Sequence, residues 1–223
     1  MKSPVASADA SHAETRRQLL EAAGAVFAEF GFRNATVREI CRRAGANIAA
    51  VNYHFGDKET LYAEVLRYAH ARALAKYPPL LDLADDAPPE EKLRAFVKSL
   101  LLRIFDKGPN SWHGKLMSRE MIEPTAALDA LVEERMRPMA SQIWKIVADL
   151  LDCPLNDERV RLYALSVVSQ CVFYHHCGPV VSRLFPKQPP LDRAGIERLA
   201  SHITGFSLAA IKHPPKSPSQ KKS

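Results

Sequence analysis

Long apolar runs are missing from this chain: no stretch approaches the ~18 consecutive hydrophobic residues a membrane-spanning helix needs. The first residues, MKSPVASADASHAE, also lack the apolar segment of a secretory signal. Cytoplasmic residence with no membrane partner is the default expectation. Cysteine is sparse, and Cys41, Cys153, Cys171 and Cys177 form no C-x-x-C pair, so reduced thiols are expected rather than a disulfide frame. Glycine is scarce too, nine in 223 residues, and β-branched runs are short, which leaves little for strands and hairpins. Ala, Leu, Arg and Glu dominate instead and predict an all-α fold. A 47% hydrophobic content rules against global disorder, and the length suits one small module plus one larger helical domain. The net charge of +6 suits a polyanionic partner.

That charge is unevenly placed. Between Arg33 and Lys58 five basic residues (Arg33, Arg38, Arg42, Arg43, Lys58) face two acidic ones, Glu39 and Asp57. The same stretch, TVREICRRAGANIAAVNYHFGDK, reads as a helix-turn-helix. Thr36 is an N-cap, with Glu39 three residues on to complete a capping box. Val37, Ile40, Cys41 and Ala44 recur at helical spacing, and Gly45 suits a left-handed stop. Asn47 caps a second short helix in which Val51 and Phe55 point inward. Cys41 is small, so the two helices can cross closely. A support helix, Thr15 to Phe30, precedes the pair, with Leu19, Ala23, Val26, Phe27 and Phe30 on one face and Gly31 at its end. A long helix from Lys58 to Lys76 follows, with Leu61, Val65, Leu66, Ala69 and Leu74 recurring along it.

This order of elements, carried by AAGAVFAEFGFRNATVREICRRAGANIAAVNYHFGDKETLYAEVL, resembles the tetracycline-repressor (TetR) family of transcriptional regulators. Farther on, HGKLMSREMIEPTAAL and LSVVSQCVFYH resemble the subgroup with a CerR-type C-terminal domain. The resemblance implies an N-terminal three-helix DNA-binding domain and a helical domain for effector binding and dimerisation. The boundaries expected are 1–12 for a loose N-terminus, 13–60 for the DNA-binding domain, 61–212 for the larger domain and 213–223 for a Pro/Lys/Ser-rich disordered tail.

Double-stranded DNA is then the partner. Thr36 sits where helix N–H groups and dipole favour a phosphate. Arg38 and Arg42 share a face, and one of them can reach backbone or groove. Lys58 opens the next helix and suits another phosphate, a role the resemblance supports. The second short helix would enter the major groove with Asn47, Ile48, Ala49, Asn52 and Tyr53 outward. Asn52 can pair with adenine or bond a phosphate, Tyr53 can reach a phosphate, and Ile48 or Ala49 can touch a thymine methyl. His54 either reaches DNA or packs against a neighbouring helix. One short helix reads few base pairs, so a homodimer on a palindromic operator is expected.

Beyond Pro78-Pro79 and DLADDAPPEE, a helix from Pro89 (Leu93, Phe96, Val97, Leu100, Leu101, Ile104, Phe105) is too apolar all round for a surface element. Lys107-Gly108-Pro109-Asn110 ends it. A short helix from Trp112 to Ile122 and a long one from Thr125 to Leu151, kinked or divided at Pro138, come next. Phe105, Trp112, Met117, Met121, Met136, Met139, Trp144 and Phe173 can surround a cavity, with His113, Glu120, Gln170 and Tyr174 among the polar anchors. The resemblance implies that a partly apolar small-molecule effector binds there and releases a repressor from DNA. Two final helices, from Leu155 or Asn156 to Cys177 and from Leu191 to Ile211, carry more apolar surface than a monomer needs. Small residues Ser166, Ser169, Ala200, Gly205 and Ala209 would let them pack on their copies.

Two rival readings have weaker support. Cys171, His175 and Cys177 lie near one helix end and could serve a metal- or thiol-responsive regulator. His113 and Glu120 could share a face for acid–base work. No nucleophile elbow or phosphate-cradling glycine loop accompanies them, so no catalytic residues, resident metal or cofactor are assigned.

Overall fold

The computed structural model describes residues 4–108, 111–187, 189 and 191–213, with the backbone alone for residues 4–11. Every regular element among them is helical, as composition predicts. In chain order these are α1 (Pro4–Asn34), α2 (Val37–Ala44), α3 (Ile48–Phe55), α4 (Lys58–Lys76), α5 (Pro89–Ile104), α6 (His113–Ile122) and α7 (Ala127–Leu131). A π-helical turn (Val132–Met136), α8 (Arg137–Leu151), α9 (Glu158–His176), α10 (Gly178–Leu184) and α11 (Arg193–Lys212) complete the set.

The chain forms two compact units. The first contains residues up to Lys76 together with Asp106–Arg137; the second contains Tyr77–Phe105 and the chain from Pro138 onward. This division differs from the boundary expected at residue 60. All of α4 packs with the N-terminal helices, because Leu61, Tyr62, Val65, Leu66 and Ala69 join one core with Leu19, Ala23, Val26 and Phe27 of α1. Ile40 and Cys41 of α2, Val51 and Phe55 of α3, and Trp112 and Leu116 enter the same core. The indole of Trp112 lies flat on Gly24: a Cβ there would stand 2.5 Å from its ring.

In the second unit α5 packs on α9 and α11. Leu93, Phe96, Val97 and Leu101 meet Ile143 and Val147 of α8, Val160, Ala164 and Val167 of α9, and Ile196, Ala200 and Ile203 of α11 in a second core. That explains why α5 is apolar all round.

Three differences from the sequence reading have local causes. Residues 4–12, expected loose, continue α1, because a proline in the first turn and an Ala-rich run both favour helix. Gly31 then ends the regular helix with φ +77°, as expected. The helix expected over Thr125–Leu151 is divided by the π turn. Pro138 has no N–H and its ring crowds the carbonyl of Glu134, so the backbone widens and the Arg137 N–H reaches back to the Val132 carbonyl. Finally, α10 was not expected; it starts at Gly178-Pro179, straight after α9. Of the tail expected at 213–223, only His213 lies within the described residues; Pro109 and Asn110 of the expected helix stop lie outside them.

Candidate nucleic-acid interface

The turn between α2 and α3 is built by its caps. The Thr36 hydroxyl oxygen accepts from the Glu39 N–H at 3.2 Å, and Gly45 takes the left-handed conformation (φ 64°, ψ 28°) that closes α2. Asn47 Oδ1 accepts from the Ala50 N–H at 2.8 Å and starts α3. Val51 and Phe55 are buried and anchor α3, which turns Ile48 (49% exposed), Ala49, Asn52 and Tyr53 (72% exposed) outward.

Only the first half of the capping box forms among the described residues. The carboxylate of Glu39 turns along α2 instead, accepting from Arg42 at 2.8 and 2.7 Å and from Arg43 at 2.7 Å. Those guanidinium groups, Arg42 first, hold the Glu39 carboxyl down at about 2. Arg43 also donates to Glu29 at 2.8 Å. Arg38 is different: it is exposed, and among the described residues it has no side-chain hydrogen bond or ion pair. Lys58 follows the α4 cap Asp57, whose Oδ1 accepts from the Thr60 N–H at 2.7 Å. Its ammonium donates to the Arg33 carbonyl at 3.4 Å and lies 4.7 Å from the Phe32 ring centroid, beside the loop that leads into Thr36. Thr36, Arg38 and Lys58 therefore gather at the start of α2. His54 is half-buried, its ring meeting Tyr53 and His12 edge-on. Burial pushes its imidazole down, helped by the charges of His12 and Arg16, so packing on α1 engages this residue.

Residues 19–65 match the TetR family of bacterial regulatory proteins, and residues 89–211 match the C-terminal domain of the HTH-type transcriptional dual regulator CecR. The chain is a TetR-family transcriptional regulator. It is 31% identical over 170 residues to CecR of Shigella flexneri, spanning 72% of this chain and 75% of that protein. It is 40% identical over 207 residues to the transcriptional repressor NicS of Pseudomonas putida, spanning 89% and 91%. A TetR-family regulator from Rhodococcus RHA1 superposes with a TM-score of 0.65 at 19% identity, covering 88% of this chain and 96% of that one. AibR, solved in complex with isovaleryl coenzyme A and operator DNA, gives 0.64 at 17%, covering 86% and 97%. These structural likenesses show the fold. No helix among the described residues is long and apolar enough to cross a membrane.

In this TetR-family chain the residues expected around an effector fall in both units. Trp112, His113, Met117, Glu120 and Met121 belong to the first. Trp112 is packed on Gly24, His113 Nε2 lies 3.1 Å from His70 Nδ1, and Met117 packs against the first core. Buried Glu120 accepts from the Tyr62 hydroxyl at 2.6 Å, the Thr125 N–H at 3.1 Å and the Thr125 hydroxyl at 3.2 Å. It borders a cleft of about 260 Å³ also lined by Tyr62, Arg119 and Thr125. Phe105, Trp144, Gln170, Phe173 and Tyr174 belong to the second unit. Phe105 meets His175 edge-on, Trp144 and Tyr174 pack on the second core, and Gln170 donates to Ser207 at 3.3 Å.

Three assignments need correcting. Met121 and Phe173 are each 53% exposed. Phe173 shares a face of α9 with Leu162, Leu165, Ser166 and Ser169, opposite the buried Val160, Ala164, Val167 and Cys171, so it belongs with the outer surface. Ala200, grouped above with the dimer residues, is fully buried in its own chain's core; Ser166, Ser169, Gly205 and Ala209 are exposed. Sequence reasoning did not single out Leu162, Leu165 and Phe206 on that surface, although Leu162 lies four residues before Ser166, Leu165 four before Ser169, and Phe206 three before Ala209. It also missed Arg103. The metal-responsive alternative has no support: among the described residues no group of three or more His, Cys, Asp or Glu side chains is placed to hold an ion. Cys171 is buried, and that burial pushes its thiol up to about 12.

Proposed function

We propose that this TetR-family regulator is a homodimeric repressor that binds a palindromic operator through α3 and is released by a small-molecule effector held in the second unit. One observation carries the DNA half: α3 buries Val51 and Phe55 and leaves Ile48, Ala49, Asn52 and Tyr53 as an outward ridge. Such a ridge fits a major groove, with the apolar pair reading thymine methyls and Asn52 reading adenine or a phosphate. Asn47 contributes through its cap, which aims the N-terminus of α3. Thr36, Arg38 and Lys58 supply phosphate contacts that set the register. The apolar face of α9 (Leu162, Leu165, Phe173) and that of α11 (Phe206, beside Gly205 and Ala209) support an isologous interface. AibR, solved with both isovaleryl coenzyme A and operator DNA, supports a fold that can hold a small molecule as well as DNA.

Selection from a random duplex library tests the reading. Wild-type protein should enrich an inverted repeat whose half-sites lie about one helical turn, or a multiple of it, apart. The double variant Leu165→Glu, Phe206→Glu should sediment as a folded monomer and lose that enrichment. A wild-type monomer, or enrichment of a single non-repeated site, refutes the proposal.

A further inference from the structure

The second core holds a charge that no described residue neutralises. Arg103, in the last turn of α5, is 2% exposed. Its Nη1 donates to the thioether sulfur of Met139 at 3.0 Å, a weak acceptor. Its Nε and Nη2 are buried and have no hydrogen-bond partner among the described residues. Buried polar groups in folded proteins are nearly always paired, and a lone guanidinium is the costliest exception. Burial pushes it down only to about 10, so it is cationic at neutral pH. The acidic side chain it senses, Cys171, is a neutral thiol there, because its own burial pushes it up to about 12.

We infer that Arg103 is the anchor for a carboxylate on an otherwise apolar effector. Nε and Nη2 lie on one edge of the planar guanidinium, the edge whose two parallel N–H bonds match the two oxygens of a carboxylate. A carboxylate there satisfies both orphaned donors and neutralises the buried cation in one step. Met139, unbranched and soft, is the neighbour able to swing aside. Phe105, two residues beyond Arg103, and His175, one turn beyond Cys171, meet edge-on near the same helix ends and offer ring surface for the apolar body. In the chain, Arg103 lies two residues before Phe105, the last residue before the passage into the first unit, and Met139 one residue after Pro138, the first residue after the return. This deepens the effector reading above and rests on it.

The test uses full-length protein with two matched probe pairs, benzoate against benzamide and hexanoate against hexanamide, read by calorimetry, thermal melting and operator binding. At least one carboxylate should bind the wild type saturably and raise its melting temperature, with the matched amide inactive. Arg103→Met should weaken that binding at least about 30-fold, the scale expected when one member of a buried charge pair is truncated. Unliganded Arg103→Met should melt no lower than wild type, since it removes an unpaired cation and keeps the volume. Arg103→Lys keeps the charge without the two-donor edge and should also bind more weakly, which serves if the methionine variant does not fold. Equal binding of acid and amide, undiminished carboxylate binding by either variant, or no response to both acids overturns the assignment. The broader reading fails separately. Carboxylate binding through Arg103 with operator affinity unchanged keeps this site and removes effector release. Release by an uncharged compound, equal in wild type and Arg103→Met, keeps effector release and removes this site.

Discussion

Arg38 and Arg42 sit one turn apart on the same helix, yet only Arg42 is tied to a carboxylate, that of Glu39. Arg42 is clamped by two hydrogen bonds to Glu39, so the pair presents little net charge; Arg38 is exposed and unpaired among the described residues, two residues after the Thr36 cap. A phosphate at that helix start would meet the Thr36 hydroxyl, the free N–H groups of the first turn and the Arg38 guanidinium. Each phosphate contact contributes about −0.9 to the slope of log K against log salt, so Arg38→Ala in a dimer should flatten the slope by ~1.8. Between 50 and 200 mM salt that difference amounts to about tenfold in affinity: the variant binds more weakly at low salt and converges on wild type as salt rises. Fluorescence anisotropy on a labelled operator over a salt series measures both slopes. Arg42→Ala is the control and should change the slope by less than half as much. Equal flattening by the two variants would show that the Glu39 clamp opens on DNA, and an unchanged slope for Arg38→Ala would remove this residue from the phosphate set.

Three further outcomes concern the scaffold. Tyr62→Phe removes the 2.6 Å donor to buried Glu120 and should cost about 1.5–3 kcal/mol in urea unfolding; a neutral result would mean Thr125 and water suffice. Gly24→Ala gains about 1 kcal/mol of helix propensity but drives a methyl into Trp112, an overpacking cost of about 1–3 kcal/mol. Its indole emission, read in a Trp144→Phe background, should shift, and unchanged emission with higher stability would contradict the contact. Asp157 caps α9, and the hydrogen bonds from Arg159, side chain first and then backbone N–H, hold its carboxyl down at about 2. Its folded value lies below its unfolded one, so its stabilisation is fully present above about pH 4 and fades as pH falls toward 2. Asp157→Asn keeps a cap that does not titrate, so the stability gap to wild type should close over that window.

The DNA-binding half was readable because its determinants are local. Thr36, Gly45 and Asn47 act within one turn, and Val51 and Phe55 are four apart, so the residue order alone specifies α2, the turn and α3. Glu39 was misjudged only in its side chain: the capping position was right, but two arginines one turn ahead outcompete a backbone N–H for a carboxylate. Where two distant partners compete, the sequence is silent. Helix α9 is apolar on two faces, and nothing in its residue order says that Val160, Ala164 and Val167 take α5 and α11 while Leu162, Leu165 and Phe173 remain outside. Phe173 was therefore read as a cavity residue. Arg103, within LLLRIF, looks like any helix-terminal cation until burial is known.

The two units treat a buried charge in opposite ways, and the contrast bears on where a ligand belongs. Glu120 is 1% exposed in the first unit, and its carboxylate is met by a phenol, an amide N–H and a hydroxyl from residues as far apart as Tyr62 and Thr125. The fold thus can bring polar partners to a buried ion when that ion is structural. Arg103 is about as buried in the second unit and, among the described residues, has only a thioether as partner. Had selection needed nothing but stability at that position, a methionine or leucine would fill the volume without the desolvation cost. A buried guanidinium whose two-donor edge meets no described residue fits the proposal that its remaining partner comes from outside the chain. By linkage, an anion that favours one conformation of this unit changes operator affinity by the same factor that DNA changes the affinity for the anion.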